Sequence, residues 1–230
     1  MKTNLYFYIF ICLLYNQSVY AQIFGGQIKP NSYTPCPITI VVEVVSPETG
    51  RIWMDRNLGA SQVATSLTDV QAYGDLFQWG RSCDGHQKRY SSIISGPLNT
   101  DNPGKSLVNG GSTDWRTPGK DALWQGINGI NNPCPTDFRI PTKDEWIAEN
   151  VWISQQAAFD SFLKLTNAGY RRESGGLSYV GGRGYYHSST TESTKIRYLN
   201  LVGNFPTQPI NLGGRGLAYS VRCIKKLPGE

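Results

Sequence analysis

His86 and His187 are the two histidines of the chain, and each has potential chemistry beside it in sequence. Asp84-Gly85-His86 places an acid two residues before a base, and His187-Ser188 places a base next to a hydroxyl. Acid, base and hydroxyl are the parts of a nucleophilic hydrolase, but such a triad is defined by geometry and not by adjacency. No nucleophile-elbow pattern accompanies them. On a strand His187 and Ser188 would point to opposite faces. Both histidines therefore read as structural or binding residues, and no catalytic residue is assigned. An enzyme built on Asp84, His86 and His187 is the alternative. Cys36, Cys83, Cys134 and Cys223 contain no C-x-x-C pair, so the zinc signature is missing and no metal ligand is assigned.

Recognition is the chemistry the sequence favours. Trp115, Arg116, Trp124, Tyr170, Arg171, Arg172, Tyr179, Arg183 and Arg215 lie in or beside stretches without periodicity. Loops on a stapled scaffold are where binding residues sit, and Tyr, Trp and Arg dominate interaction hot spots. Flat rings also suit the faces of sugars. The ligand-binding set read from these is Trp115, Arg116, Trp124, Tyr179, Arg183 and Arg215. Burial competes with that reading: Trp53, Trp79 and Trp146 read as core, and large aromatics are mostly buried on average.

These residues need a scaffold, and Cys134 to Trp146 is the stretch that organises it. Phe138 and Ile140 alternate as in a short strand, and Pro141 stops it. Thr142 and Glu145 stand in T-x-x-E spacing, a capping box that opens a helix running to about Asn150. A second helix opens with Ser154 and runs through Phe159, Phe162, Leu163 and Leu165, ending at Asn167-Ala168-Gly169. Thr68 or Asp69 caps a short helix through Tyr73. Ile38–Val45 and Arg51–Leu58 read as a hairpin about Ser46–Gly50. Gly184–Ser188, Lys195–Val202 and Leu217–Ile224 read as a three-strand meander. Between Arg81 and Pro133 periodicity fails, and a loop region of that length inside a compact domain is usually functional or disordered. Trp115 and Trp124 argue against disorder.

The chain has 230 residues, room for one or two domains. Lys2, the 11-residue apolar run Leu5–Tyr15 and the ending Val19-Tyr20-Ala21 read as a secretory signal peptide over 1–21. That run is too short to span a bilayer. Cys12 inside it lacks the small residues that precede a lipoprotein cysteine. Residues 22–46 read as an N-terminal arm and first strand, and 47–227 as the main domain. Without Lys2 there are 21 basic and 17 acidic residues, about +4 and dispersed. That balance offers no basic stripe for nucleic acid and no basic amphipathic helix for a membrane surface. An even set of four cysteines in an exported chain points to disulfides, with three connectivities open.

In order along the chain, Arg51-Ile52-Trp53-Met54-Asp55-Arg56-Asn57-Leu58, Gly74-Asp75-Leu76-Phe77-Gln78-Trp79-Gly80-Arg81, Asp84-Gly85-His86, Asp114-Trp115-Arg116 and Asn132-Pro133-Cys134-Pro135 are followed by Arg139-Ile140-Pro141-Thr142 with Glu145-Trp146. Gly184-Tyr185-Tyr186-His187-Ser188-Ser189-Thr190 and Ala218-Tyr219-Ser220-Val221-Arg222-Cys223-Ile224 complete the series. Over roughly Pro47 to Lys226 this series resembles the Fibrobacter succinogenes major paralogous domain, found in secreted and surface proteins of Fibrobacter and Bacteroidota. His187 departs from it, since the family more often has Trp there. The resemblance implies an α+β, C-type-lectin-like fold: two helices, a small twisted antiparallel sheet and long irregular loops. It implies a Cys134–Cys223 disulfide, which leaves Cys36 with Cys83.

Formylglycine-generating enzymes share that variant of the fold, and their copper site resembles a close pair of cysteines near the C-terminus. Here Cys223 stands alone in that region, and one thiol cannot supply the two soft ligands that select Cu(I). Lectin calcium sites use Glu-Pro-Asn or Gln-Pro-Asp with Trp-Asn-Asp. Gln208-Pro209-Ile210-Asn211 and Asp101-Asn102-Pro103 match neither triplet, so no cofactor is assigned, with room left for a structural calcium. The expectation is a secreted or cell-surface binding or display module, non-catalytic, with the periplasm as another location. Its partner would be a glycan or a surface protein, without nucleic acid and without membrane insertion. A structural component of a surface appendage is the third class.

Overall fold

The computed structural model describes residues 39–151, 153–203 and 209–230. The expected signal peptide (1–21), the arm up to residue 38 with Cys36, and Gln208 lie outside the described residues. In chain order the strands are β1 (Glu43–Val45), β2 (Ile52–Met54), β3 (Phe77–Gln78), β4 (Ile93–Ser95), β5 (Leu107–Asn109), β6 (Phe138–Arg139) and β7 (Tyr170–Arg171). Then follow β8 (Leu177–Ser178), β9 (Gly184–Glu192), β10 (Lys195–Leu201), β11 (Ile210–Gly213), β12 (Ala218–Tyr219) and β13 (Ile224–Lys225). Helices α1 (Lys143–Ala148) and α2 (Gln155–Asp160) stand between β6 and β7. The architecture is α+β, with few helices and several small sheets in place of the single sheet expected. Three sheets are antiparallel, in the orders β1-β2-β13-β6, β11-β10-β9 and β3-β12-β7-β8. The fourth is the parallel pair β4–β5, inside the stretch expected to be irregular.

Local signals place the first hairpin and both helices. β1 and β2 pair with Val45 opposite Ile52 across a turn in which Gly50 takes a positive φ of 70°. The Ser46 hydroxyl accepts from the N–H groups of Glu48 and Thr49 at 3.2 and 3.1 Å. The strand is shorter than expected: Ile40, Val41 and Val42 precede it and stay exposed, and among the described residues β1 is an edge paired with β2 alone. At α1 the Thr142 hydroxyl accepts from the Glu145 N–H at 3.1 Å, and the Glu145 carboxylate accepts from the Thr142 N–H at 2.8 Å. Ser154 caps α2 by accepting from the Ala157 N–H at 3.0 Å. That helix stops at Asp160, five residues short of Leu165, because Ser161 turns extended and Lys164 takes a positive φ of 49°. Leu163 and Leu165 are both fully buried, two residues apart, a spacing that extended chain satisfies and a helix does not. Asp69 caps a short 3-10 turn, Val70–Ala72, through the Gln71 N–H.

The expected third strand of the meander is overturned. β11 takes that place beside β10, and Leu217–Ile224 is divided between two other sheets as β12 and β13. Every residue from Ala218 to Ile224 is buried, so this segment runs through the interior and cannot form a half-exposed edge. Its second half brings Cys223 beside the entry to β6, and Cys134–Cys223 closes there with Cα atoms 5.9 Å apart.

The long hairpin β9–β10 separates two apolar clusters. Tyr185 and Ile196 pack with Phe77, Trp79, Trp115, Trp124 and Tyr219. Tyr186, Leu199 and Leu201 pack with Trp53, Trp146, Leu163 and Leu165. Successive residues of one strand thus serve opposite cores, as the two-residue period requires. The Thr142 cap joins that scaffold to the disulfide segment. Thr142→Ala should cost about 1 kcal/mol and Thr142→Ser almost nothing. Urea unfolding of the oxidised protein measures both, and equal losses would show that the hydroxyl is not the contributing group.

Candidate functional site

The six residues assigned to recognition separate into three places. Trp115 and Trp124 are core residues, 0% and 2% exposed, which corrects their assignment to a binding face. Their indole N–H groups are consumed internally, by the Trp79 carbonyl at 2.7 Å and the Asn131 carbonyl at 3.0 Å. Arg171, one of the wider set, is also buried. It donates to the Lys88 and Ser91 carbonyls at 3.1 and 2.6 Å and ties that loop to β7.

The two histidines hold the two ends of one peptide unit. The His187 Nε2–H donates to the Phe77 carbonyl at 2.7 Å, and the Gln78 N–H donates to His86 Nε2 at 3.0 Å. His86 Nδ1–H donates in turn to Asp84 at 2.5 Å, while the other Asp84 oxygen receives Arg81 at 2.7 Å. Both rings are fully buried; His86 must be neutral because its Nε2 accepts, and burial keeps His187 neutral. Burial, with the Arg81 charge added, lowers His86 to about 4, and burial lowers His187 to about 3. Burial also pushes Asp84 up, but His86 and Arg81 outweigh it and hold the carboxylate low. These groups are spent on structure, with no exposed acid–base pair at a cleft.

Arg116 and Arg215 do come together. They line a cleft of about 440 Å³ with Thr113, Asp114, Asp121, Ser193 and Thr194. Ser193 and Thr194 form the tip between β9 and β10, and Thr113 to Asp121 follow β5. Arg215 leaves β11 through Gly214 and Gly216, where an added Cβ would lie 1.5 Å from the Ser112 carbonyl and 2.1 Å from that of Gly111. No side chain fits at either position, so the backbone presses against 111–113, and the Arg215 N–H donates to the Thr113 carbonyl at 2.8 Å. The guanidinium lies 4.7 Å above the Trp79 ring and is almost wholly buried. Its Nη2 pairs with Asp121, while Nη1 stands 3.8 Å from Asp114 Oδ2, beyond hydrogen-bond length. Burial pushes the Asp114 carboxyl up, only partly offset by the Arg116 N–H and by Arg215. Arg116 is more committed: it donates to Asp101 at 2.9 Å and to the Pro118 carbonyl.

Tyr179 and Arg183 form the third place, on the turn between β8 and β9. Tyr179 is 49% exposed, and the Arg183 guanidinium lies 4.1 Å from its ring centroid. Sequence reasoning missed Asp114, Asp121 and the Ser193–Thr194 tip. Asp114 stands beside a residue singled out, but nothing local shows that its carboxylate faces Arg215 from a hundred residues away. Among the described residues no group of three or more His, Cys, Asp or Glu side chains is placed to hold a metal ion, and no helix is long and apolar enough to cross a membrane. No protein-family profile matches the chain, and no curated protein or solved structure is significantly similar to it.

The buried imidazoles make stability depend on pH with a definite sign. Their folded pKa values lie below the ordinary 6.5, so the unfolded chain takes up protons first. Stability is complete above about pH 6.5 and declines toward pH 4, by several kcal/mol in all. Urea midpoints should be level from pH 8 to 7 and fall steadily from 6.5 to 4. His187→Gln, which keeps a donor for Phe77, should flatten that fall. A midpoint at pH 4.5 equal to that at pH 7 would refute the assignment of neutral buried rings.

Proposed function

We propose that the chain is an exported, non-catalytic binding module of the Fibrobacter succinogenes major paralogous, C-type-lectin-like kind, and that it takes a glycan in the Arg215 cleft. The observation that carries this is the 3.8 Å separation between Arg215 Nη1 and Asp114 Oδ2. A hydroxyl is both donor and acceptor. One placed about 2.8 Å from each atom would accept from the guanidinium and donate to the carboxylate. Thr113, Ser193 and Thr194 supply further hydroxyls around the same space, and Asp121 balances the second charge. The lining residues are polar or charged in type, two arginines against two aspartates, while their carbon atoms add apolar surface, a combination that suits a neutral ligand with both hydroxyls and C–H faces. In this reading Asp114 and Arg215 bind, Arg116 shapes the wall through Asp101, and the disulfide holds the scaffold in an oxidising compartment.

A glycan screen of the purified oxidised protein, run with calcium and with chelator, tests the reading. A reproducible hit should weaken at least tenfold in Asp114→Asn, which keeps the shape and loses the charged acceptor. Binding that survives Asp114→Asn, or that no glycan gives at all, rejects the cleft as the site. Loss in chelator alone would point instead to a calcium ion.

One observation favours assembly as a second reading. Ile40 and Val45 are 60% and 63% exposed beside the unpaired edge of β1, and exposed β-branched edges recruit other strands. A surface-appendage component should then show concentration-dependent oligomers by sedimentation velocity, dispersed by Val45→Lys. A monomer at every concentration excludes it.

A further inference from the structure

The β8–β9 turn carries a cation, Arg183, that has no acid partner among the described residues. Tyr179 takes a positive φ of 55°, and the N–H groups of Gly182 and Arg183 both return to its carbonyl, at 2.9 and 3.0 Å. The turn is tied down on its far side, where the Gly181 N–H donates to the Asn167 carbonyl at 2.8 Å and the Gly169 N–H to the Arg183 carbonyl at 2.9 Å. This geometry lays the Arg183 guanidinium on the Tyr179 ring, centroid distance 4.1 Å. The groups acting on its charge are the tyrosines Tyr185, Tyr179 and Tyr170, and among the described residues it forms no ion pair. Arg172, exposed on the neighbouring hairpin, donates to Ser178 at 2.9 Å and is likewise without an acid partner. The adjacent Glu173 pairs with neither.

A guanidinium held flat keeps its in-plane donors pointing outward, and that fork matches a carboxylate at two points. We propose that Arg183, stacked on Tyr179, anchors an acidic side chain of a protein partner, with Tyr179 and Val180 giving apolar contact beside it. Two features favour a polypeptide over an acidic sugar. Arg183 covers one face of the Tyr179 ring, and Tyr170 and Tyr185 crowd it at 6.1 and 6.3 Å, so no clear face is left for a pyranose. Tyr179 and Val180 are 49% and 45% exposed on the turn, and tyrosine with arginine are residue types that dominate protein hot spots. Without Lys2 the net charge is about +4, which favours acidic partners in general. This surface is built from residues other than those of the cleft, so its failure would leave the glycan reading untouched.

The test immobilises a glutamate–leucine random copolymer and measures binding of the purified oxidised protein. Oligogalacturonate of matched charge and a lysine–leucine copolymer are run alongside. The expected result is binding to the glutamate copolymer alone, weakened at least tenfold by Arg183→Gln. Arg183→Lys should weaken it almost as much, because lysine keeps the charge and loses the fork. Lys105→Gln removes an exposed charge elsewhere and should change little. Equal losses in Arg183→Gln and Lys105→Gln would reduce the effect to net charge and overturn the proposal. So would an absence of binding, or equal binding to oligogalacturonate that is lost in the same Arg183 variants. A thermal unfolding midpoint for each variant within a few degrees of the parent's shows that a loss is not misfolding.

Discussion

The peptide unit between Phe77 and Gln78 sits at the centre of the fold, with a neutral imidazole at each end. His187 gives its proton to the carbonyl, and His86 offers a lone pair to the N–H. The pattern requires different tautomers at the two sites, and the partners fix them. Asp84 claims the Nδ1 proton of His86 and leaves Nε2 free to accept. A proton added to His86 would replace that acceptor with a donor facing another donor. The Gln78 side chain extends the same node: its amide nitrogen donates to the Val108 and Gly216 carbonyls at 2.9 and 2.8 Å, and its oxygen accepts from Arg81 at 2.8 Å. β3, β5, β9, the loop after β3 and the Arg215 segment are therefore joined by one buried polar network. Leaving any of its members unpaired would cost roughly 1–3 kcal/mol in desolvation.

The same device recurs wherever the strands are too short to satisfy the main chain. Buried loop carbonyls need donors as ladder carbonyls do, and here side chains supply them. Asn131 donates to the Gly80 and Asp101 carbonyls, both at 2.9 Å. Arg89 reaches Gly74 and Ala168, both at 3.0 Å. Trp79 and Trp146 donate to successive residues of β9, Ser188 and His187. Arg222 is fully buried and forms no ion pair among the described residues, held instead by the Met54 and Leu163 carbonyls and the Asn57 amide oxygen. Burial, partly opposed by Tyr186 and Asp55, lowers its pKa to about 10, which still leaves it charged at neutral pH, and its hydrogen bonds all go to amide oxygens. Tryptophan and arginine are abundant in the loops because the loops are fastened by them.

That explains which features were legible in the sequence. The capping box, the Ser154 cap and the first hairpin depend on residues within five positions of one another, and the chain states them directly. Trp115 and Arg171 look, by type and neighbourhood, like recognition residues. Their roles are decided by carbonyls that arrive from Trp79 and from Lys88 to Ser91, and no local pattern records that. Leu217–Ile224 misled for a related reason. Alternation of Leu217, Tyr219 and Val221 fits an amphipathic strand, but Ser220 and Arg222 are buried too, Ser220 bonded through its backbone to Tyr185 and His187 and Arg222 through its guanidinium. Cys134 and Cys223 were read correctly only through resemblance, since their own spacing left three pairings open.

The interior network also sets two chemically similar arginines apart. Arg81 and Arg215 are both buried and both stack on a tryptophan, Trp115 at 5.5 Å and Trp79 at 4.7 Å. Arg81 closes on Asp84, Gln78 and two carbonyls, each within hydrogen-bond length. Arg215 closes on Asp121 but stops 3.8 Å short of Asp114, although a carboxylate and a guanidinium would gain by meeting. The separation is enforced. Gly214 and Gly216 fix one side against 111–113, the Trp79 ring supports the guanidinium from beneath, and the Arg116 N–H holds the other Asp114 oxygen at 3.0 Å. A pair held apart by its own scaffold gives a third group a site already ordered, so a ligand entering there pays little of the entropy that usually opposes binding. Residue type is shared between the two arginines; they differ in that Arg81 completes its bonding and Arg215 stops short of Asp114.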